Sequence, residues 1–325
     1  MAFSRLQNVV RKYQKFLLIS HIYTDGDALG SMIALKHYLS RSGKTVQAVV
    51  PGDIPEQYEF LDVRKHINCL DEIQTLDFIE HAEVVFILDI SALQRMDRWY
   101  EPVMQSPAIK ICIDHHPEGC SGVDWQLINE ERIATAEIIY EFFRATNVTL
   151  NKEMALALYT GILSDSGSFR FEGTSSFTLR MAADLTGYGI DPARVYRQVY
   201  ENSTKAQLRF WGNVLCDLRS EGKIDWAVVT KDMLKQFGVR VQDMNGLVDI
   251  IRRDATADVF VMFVENEDGE IMVGLRSKDE FDVGEIARSF GGGGHFHAAG
   301  FSSKKSMDRV VRETLTAIKE KKKGI

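Results

Sequence analysis

The sequence predicts an α/β protein in two parts, an N-terminal domain on a parallel sheet joined by a helical linker to a smaller mixed α/β domain. Three observations predict it. The chain opens with an apolar strand, a loop, an amphipathic helix and a second strand, as a parallel sheet does. Three of its apolar strands then end in acidic or imidazole side chains, where open α/β sheets keep their ligand sites. Beyond residue 222 the texture changes to short strands. The expected boundaries are 1–195 for the first domain, 196–222 for the linker and 223–325 for the second. A chain of 325 residues is long for one core and comfortable for two.

In order, residues 5–15 have the pattern of a short amphipathic helix and 16–20 that of a buried strand. Leu29, Met32, Ile33, Leu35 and Leu39 form a helical stripe over 28–42, stopped by Gly43, and 44–50 is a second strand. After a polar, helical stretch, 83–88 is a strand ending in Asp89, and 109–113 a strand ending in Asp114-His115-His116-Pro117. Helices are expected over 135–146 and 151–163, the latter running into the turn-forming Ser164-Asp165-Ser166-Gly167-Ser168. Residues 175–220 are almost wholly helical in pattern, with 205–218 read as the linker helix. Strands follow at 224–229, 258–264 and 270–275, the last two joined by a hairpin at Glu267-Asp268-Gly269. A helix over 282–290 meets four glycines, Gly291 to Gly294, then His295. A last helix from Met307 carries a lysine-rich end, 319–323, expected simply to be solvated.

Composition narrows the function. A net charge of −7 argues against affinity gained by neutralising phosphates along a duplex, while short nucleotides remain open. Four cysteines, Cys69, Cys112, Cys120 and Cys216, form no Cys-x-x-Cys pair, so neither a zinc knuckle nor a disulfide framework is indicated. Only five apolar residues follow Arg5, Arg11 and Lys12, too few for a signal peptide, and no run approaches the roughly eighteen apolar residues of a membrane span. A reducing, cytoplasmic home is expected.

The chemistry lies in His21, Asp25, Asp27, Asp89, Asp114, His115, His116 and Asp165. Gathering these aspartates forces like charges together, at a cost to the fold unless cations compensate. Two divalent ions balance about four carboxylates, and mixed Asp/His ligation points to manganese, iron or zinc, with manganese first. Two ions roughly 3.5–4 Å apart suit in-line attack on phosphorus. Asp89, alone at its strand end, is the candidate to reach both. Each piece also has a plainer reading. Asp25-Gly26-Asp27 could only cap a helix, His115-His116 could be core or surface, the glycines could form a flexible loop, and Arg276 could be an exposed surface arginine. Against these, four segments share one place relative to their elements. The glycines also permit close backbone approach to an anion, with Gly291 as a helix C-cap, and Arg276 could pair with a phosphate or carboxylate.

These motifs resemble the DHH phosphoesterase superfamily, and within it the nanoRNase/pAp phosphatase group. The matching residues are His21, Asp25 and Asp27 ahead of Gly30-Ser31; Asp89 with Ser91 and Arg95; Asp114-His115-His116-Pro117; Asp165 with Gly167, Phe169 and Arg170; and Gly293-Gly294-His295 with Ala298-Ala299-Gly300. The last run is similar to the family's C-terminal DHH-associated domain. The resemblance implies one metal held by His21, Asp25 and Asp89, and another by Asp27, Asp89, His115 and Asp165. It implies that Asp114 orients the histidines, that His116 faces the scissile phosphate, and that Arg95, Arg170, Arg276, Gly293, Gly294 and His295 meet substrate, the C-terminal domain closing over the metals. Tyr23-Thr24 departs from the family where relatives often carry a proline before the first aspartate, without altering a ligand.

The activity implied is hydrolysis of short oligoribonucleotides to mononucleotides, with dephosphorylation of 3'-phosphoadenosine 5'-phosphate (pAp) beside it. Hydrolysis of linear or cyclic signalling dinucleotides is the alternative, and a non-catalytic nucleotide-binding regulator a minor one. No long duplex and no membrane is expected as a partner, and a homodimer is compatible with the family.

Overall fold

The computed structural model describes residues 2–90, 92–117, 119–244 and 246–323. Ser91 and the side chain of His295, both singled out above, lie outside the described residues. The chain divides into two compact units, one running to Asn202 and the other starting at Ser203.

The first unit contains α1 (Ala2–Lys12), β1 (Lys15–Ile19), α2 (Gly26–Arg41), β2 (Thr45–Val49), α3 (Val63–His66), α4 (Glu72–His81), β3 (Val84–Leu88), α5 (Tyr100–Gln105), β4 (Ile109–Asp114), β5 (Trp125–Ile128), α6 (Thr135–Ala145), α7 (Lys152–Asp165), α8 (Ser176–Thr186) and α9 (Pro192–Tyr200). Its five strands run in the order β2-β1-β3-β4-β5, every neighbouring pair parallel. Side chains alternate along a strand, so Phe16 and Leu18 enter one apolar cluster with α2, α6 and α7, while Leu17 and Ile19 enter another with α4 and α5. Both faces are therefore covered, which is why these strands read as continuous apolar runs. The chain leaves β1 for β2 on one side and continues at β3 on the other. That reversal opens a crevice beyond the carboxyl ends of β1 and β3.

Two differences from the sequence reading have clear causes. α2 begins at Gly26 rather than 28, because the Asp25 carboxylate accepts hydrogen bonds from the backbone of Asp27 and Ala28 and starts the helix early. The four-residue β5, only partly buried, carries too weak an apolar signal to be read from sequence. α2 lies tightly against α7: a side chain at Gly30 would sit 2.2 Å from the Ala157 carbonyl oxygen, and one at Gly161 would meet Asp27 at 2.9 Å. Glycine at both places lets α7 approach the metal-ligand candidates on α2.

The second unit contains α10 (Lys205–Cys216), β6 (Arg219–Glu221), β7 (Ile224–Val229), α11 (Lys231–Phe237), α12 (Leu247–Ile251), β8 (Val259–Glu265), β9 (Ile271–Ser277), α13 (Val283–Ser289), β10 (Gly293–His295), β11 (Ala298–Ser303) and α14 (Met307–Lys323). Its mixed sheet has the order β10-β11-β9-β8-β7-β6, with only β7 and β8 parallel. α10 packs Phe210 and Val214 into one face, and α13 and α14 cover the other. Glycine at 269 takes a φ of 78° in the β8–β9 hairpin. The lysine-rich end is not simply solvated. Val310, Leu315 and Ile318 seat α14 on the sheet, which brings Lys319 to 2.6 Å from Glu221, Lys322 to 3.0 Å from Asp258, and Lys321 onto Glu285.

Phe86, fully buried at the centre of β3, stacks on Phe16 with ring centroids 5.8 Å apart. Phe86→Ala is expected to cost about 3–5 kcal/mol of first-unit stability in denaturant unfolding; a loss well under 1 kcal/mol would contradict this core.

Candidate metal centre

Four segments converge at the carboxyl end of the parallel sheet. β1 hands over to His21, whose Nε2 lies 3.9 Å from an Asp25 carboxylate oxygen and 3.6 Å from Asp89. Asp25 divides its work, one oxygen capping α2 through the Asp27 and Ala28 N–H groups and the other facing His21. The capping role and the ligand role expected of Asp25 are thus compatible on one side chain. Asp27, fully buried, reaches across to α6, where its two oxygens accept the N–H of Thr135 at 2.6 Å and of Ala136 at 2.9 Å.

β3 ends on Asp89, which adopts a left-handed backbone with φ of 55°. A side chain other than glycine rarely takes this conformation without local support, and such strain gathers at functional sites. Here it directs the carboxylate between the histidines, with Oδ2 near His21 and Oδ1 at 3.5 Å from His115 Nε2 and 3.8 Å from His116 Nδ1. β4 ends on Asp114, one oxygen of which accepts the His115 N–H at 2.8 Å and lies 2.7 Å from His116 Nδ1. The other is buried without a hydrogen-bond partner among the described residues. His115 Nδ1 lies 3.2 Å from the Arg132 carbonyl, a contact that places a proton on Nδ1 and turns Nε2 toward the carboxylates as the candidate ligand atom. That Nε2 is 3.4 Å from Asp165, at the end of α7.

The result is two overlapping clusters. His21, Asp25 and Asp89 offer ligand atoms all within 4.8 Å of one another, and so do Asp27, Asp89, His115 and Asp165. Asp89 belongs to both. His116, with Asp114, forms a further group around Asp89.

Electrostatics test whether divalent cations fit. Burial, then the charge of Asp89, raise the Asp25 carboxyl above its ordinary value, and the same pair of causes raises Asp27 well above it. Burial, then Asp27, Asp25 and Asp89, do so for Asp165. Burial also opposes the charge on Asp89, but contacts from His115 and His21 outweigh it and hold Asp89 well below the usual range. Burial likewise opposes a charged His115, yet Asp89 and the surrounding carboxylates push its pKa up to about 9. Carboxylates that resist ionisation one beside another, an imidazole with Nε2 facing them and an unsatisfied Asp114 oxygen fit a divalent cation, whose charge reverses each penalty.

Of the candidate substrate residues in this unit, Arg95 lies beside His21, with a guanidinium nitrogen 3.4 Å from Nδ1 and its carbonyl accepting the Ile22 N–H. Arg170 folds back to the Gly167 carbonyl over the Phe171 ring. Within the second unit, half-buried Arg276 on β9 pairs opposite Ala298 of β11, and Gly293 and Gly294 form β10 opposite Gly300 and Ala299. The glycine run is therefore an edge strand and not a free loop. Gly291, with φ of 81°, and Gly292 return N–H bonds to the carbonyls of Arg288 and Ala287, closing α13. Sequence reasoning missed Thr135 and Arg132, because nothing in a helical periodicity says which distant side chain will meet the helix's first turn.

Residues 15–162 match the DHH family, N-terminal domain, and residues 224–323 the DHHA1 domain. The chain is 28% identical over 325 residues to the bifunctional oligoribonuclease and PAP phosphatase NrnA of Bacillus subtilis, covering 98% of this chain and 99% of that one. It is 26% identical to the Mycoplasma genitalium protein of the same name, over 96% of each chain. An exopolyphosphatase-related protein from Bacteroides fragilis superposes with a TM-score of 0.91 at 26% identity, covering 98% of this chain and 95% of that one. With its parallel-sheet unit matching the first domain and its mixed-sheet unit the second, the chain belongs to the DHH family, as a DHH domain followed by a DHHA1 domain.

Proposed function

We propose that this protein is a metal-dependent phosphohydrolase that degrades very short oligoribonucleotides to nucleoside monophosphates and dephosphorylates pAp. The observation that carries this reading is the pair of ligand clusters sharing Asp89, in a chain whose full-length relatives are named as oligoribonuclease and PAP phosphatase. His21, Asp25 and Asp89 would hold one divalent ion and Asp27, Asp89, His115 and Asp165 the other, manganese being the leading choice for this mixed donor set. Such ions, when bound, neutralise charge developing on the phosphoryl oxygens and acidify the attacking water.

The chain's own residues do the rest. Asp114 fixes the His116 ring through Nδ1 at 2.7 Å, so that Nε2 is the atom that exchanges a proton with the reacting oxygens, accepting when the ring is neutral and donating only as the imidazolium. Arg95 and Arg170 are the candidate phosphate contacts near the ligand clusters. In the DHHA1 domain, burial and nearby Arg252 lower the pKa of the Arg276 guanidinium against the pull of Asp249, a setting that an anionic ligand relieves. Gly293, Gly294 and His295 would bring backbone close to the same anion. The net charge of −7 disfavours long polymers and favours the shortest substrates. Four free cysteines suit a reducing cytoplasm, and a homodimer is proposed on the family resemblance alone.

With manganese, a product time course across RNAs of two to about twenty nucleotides should show mononucleotide release fastest from the shortest, with pAp also consumed and a cyclic dinucleotide spared. Asp89→Ala should lose several kcal/mol of transition-state stabilisation, about three orders of magnitude in rate. Equal rates for variant and wild type would sink the proposal.

Metal binding should also release protons. Asp27 and Asp165, raised above the ordinary carboxylate value of about 4, hold their protons to higher pH than free carboxylates do, and His115 must give up its own below about pH 9. Apparent affinity should therefore climb with pH toward about 9. Calorimetry in two buffers of different ionisation enthalpy reads the release directly, and a buffer-independent heat at neutral pH would contradict it.

A further inference from the structure

Thr135 is the first residue of α6 and is fully buried. The residue before it, Ala134, has no side chain that could cap the helix, and Asp27 takes over that function from more than one hundred residues away. Thr135 then does a second thing. Its hydroxyl donates to Asp89 Oδ1 at 3.3 Å, while its backbone N–H donates to Asp27 Oδ2 at 2.6 Å. One residue thus holds a carboxylate from the four-ligand cluster and the carboxylate that belongs to both clusters. At the start of a helix there is no preceding turn whose carbonyl could take the hydroxyl, so its usual competing use inside a helix is absent.

The geometry sets a length. Asp27 is anchored to main-chain N–H groups of α6, which cannot shift without moving the helix. Asp89 ends a strand in a left-handed backbone, and the Thr135 hydroxyl ties one of its oxygens to the same helix. The spacing between the two carboxylates is then fixed by the distance from N to Oγ1 within one threonine.

We infer that Thr135 is a positioning residue that sets the separation of the two ion sites by holding the shared carboxylate of Asp89 in register with Asp27. The inference rests on the two-ion reading given above. It concerns the hydroxyl alone, since any residue at 135 except proline keeps the N–H to Asp27.

Thr135→Val keeps the shape and the β-branch and removes only the hydroxyl; Thr135→Ala removes it with less bulk; Thr135→Ser restores it. Manganese stoichiometry and affinities are read by calorimetry, spin coupling within the ion pair by electron paramagnetic resonance, and thermal stability on the metal-free proteins. Wild type and Thr135→Ser should bind two coupled ions. Thr135→Val and Thr135→Ala should bind the weaker ion about 10–100-fold less tightly, with the coupled signal lost at manganese concentrations that saturate wild type. A purely structural threonine would change melting temperature and leave both affinities and the coupling intact, and that outcome overturns the inference. So does a Thr135→Ser protein as weak as Thr135→Val, which would assign the effect to the methyl group. A wild-type protein that binds a single ion overturns this inference and the two-ion reading together, whereas two ions with unaltered hydroxyl-free variants overturn this inference alone.

Discussion

The first domain is organised around charges of one sign, Asp27 and Asp89 buried and Asp25 and Asp165 partly so, that ordinary folding would keep apart. Asp25, Asp27, Asp89 and Asp165 come together at the end of one sheet, and three of the four are pushed toward their neutral forms by burial and by one another. Asp89 alone is held strongly ionised, because His21 and His115 reach it from either side. A fold that assembles such a group carries a cost which a divalent cation removes, so the same carboxylates oppose the metal-free state and select the loaded one.

The parallel sheet makes this assembly possible. Every strand of a parallel sheet points the same way, so the residues that follow β1, β3 and β4 emerge on one edge, and the reversal of strand order between β1 and β3 leaves room there. Helices complete the set from the other direction. α7 delivers Asp165 at its last residue, and the first turn of α6 supplies N–H groups to Asp27. Glycine at 161 lets α7 come close enough to touch Asp27. The strain in the backbone of Asp89 is the local expense of aiming one carboxylate at two clusters.

Capping and ligation are not rivals at Asp25. Its two oxygens have different partners, the N–H groups of α2 and the imidazole of His21. The helix N-terminus immobilises the side chain that the cluster needs, and a capping signature in a sequence therefore does not argue against a metal ligand at the same residue. In the DHHA1 domain the glycine run likewise has two roles, closing α13 at Gly291 and then pairing as β10. Edge strands of three residues leave almost no periodic trace, so the sequence pattern does not mark β10 as a strand.

The sequence by itself determined β1 to β4, β7 to β9, the long helices and the residues that gather at the sheet's edge, because apolar runs and the polar residues ending them are local patterns, and the direction of a parallel sheet converts them into a place. It could also divide the ligand candidates between two ions, but only through likeness to a family. What tertiary structure decided was orientation: which oxygen of Asp25 caps and which faces His21, that Asp89 adopts a left-handed backbone, that Arg132 sets the tautomer of His115, and that Thr135 joins Asp27 to Asp89. These depend on contacts between residues far apart in the chain, where neither periodicity nor spacing carries information, and distances of a few tenths of an ångström decide which atom meets which.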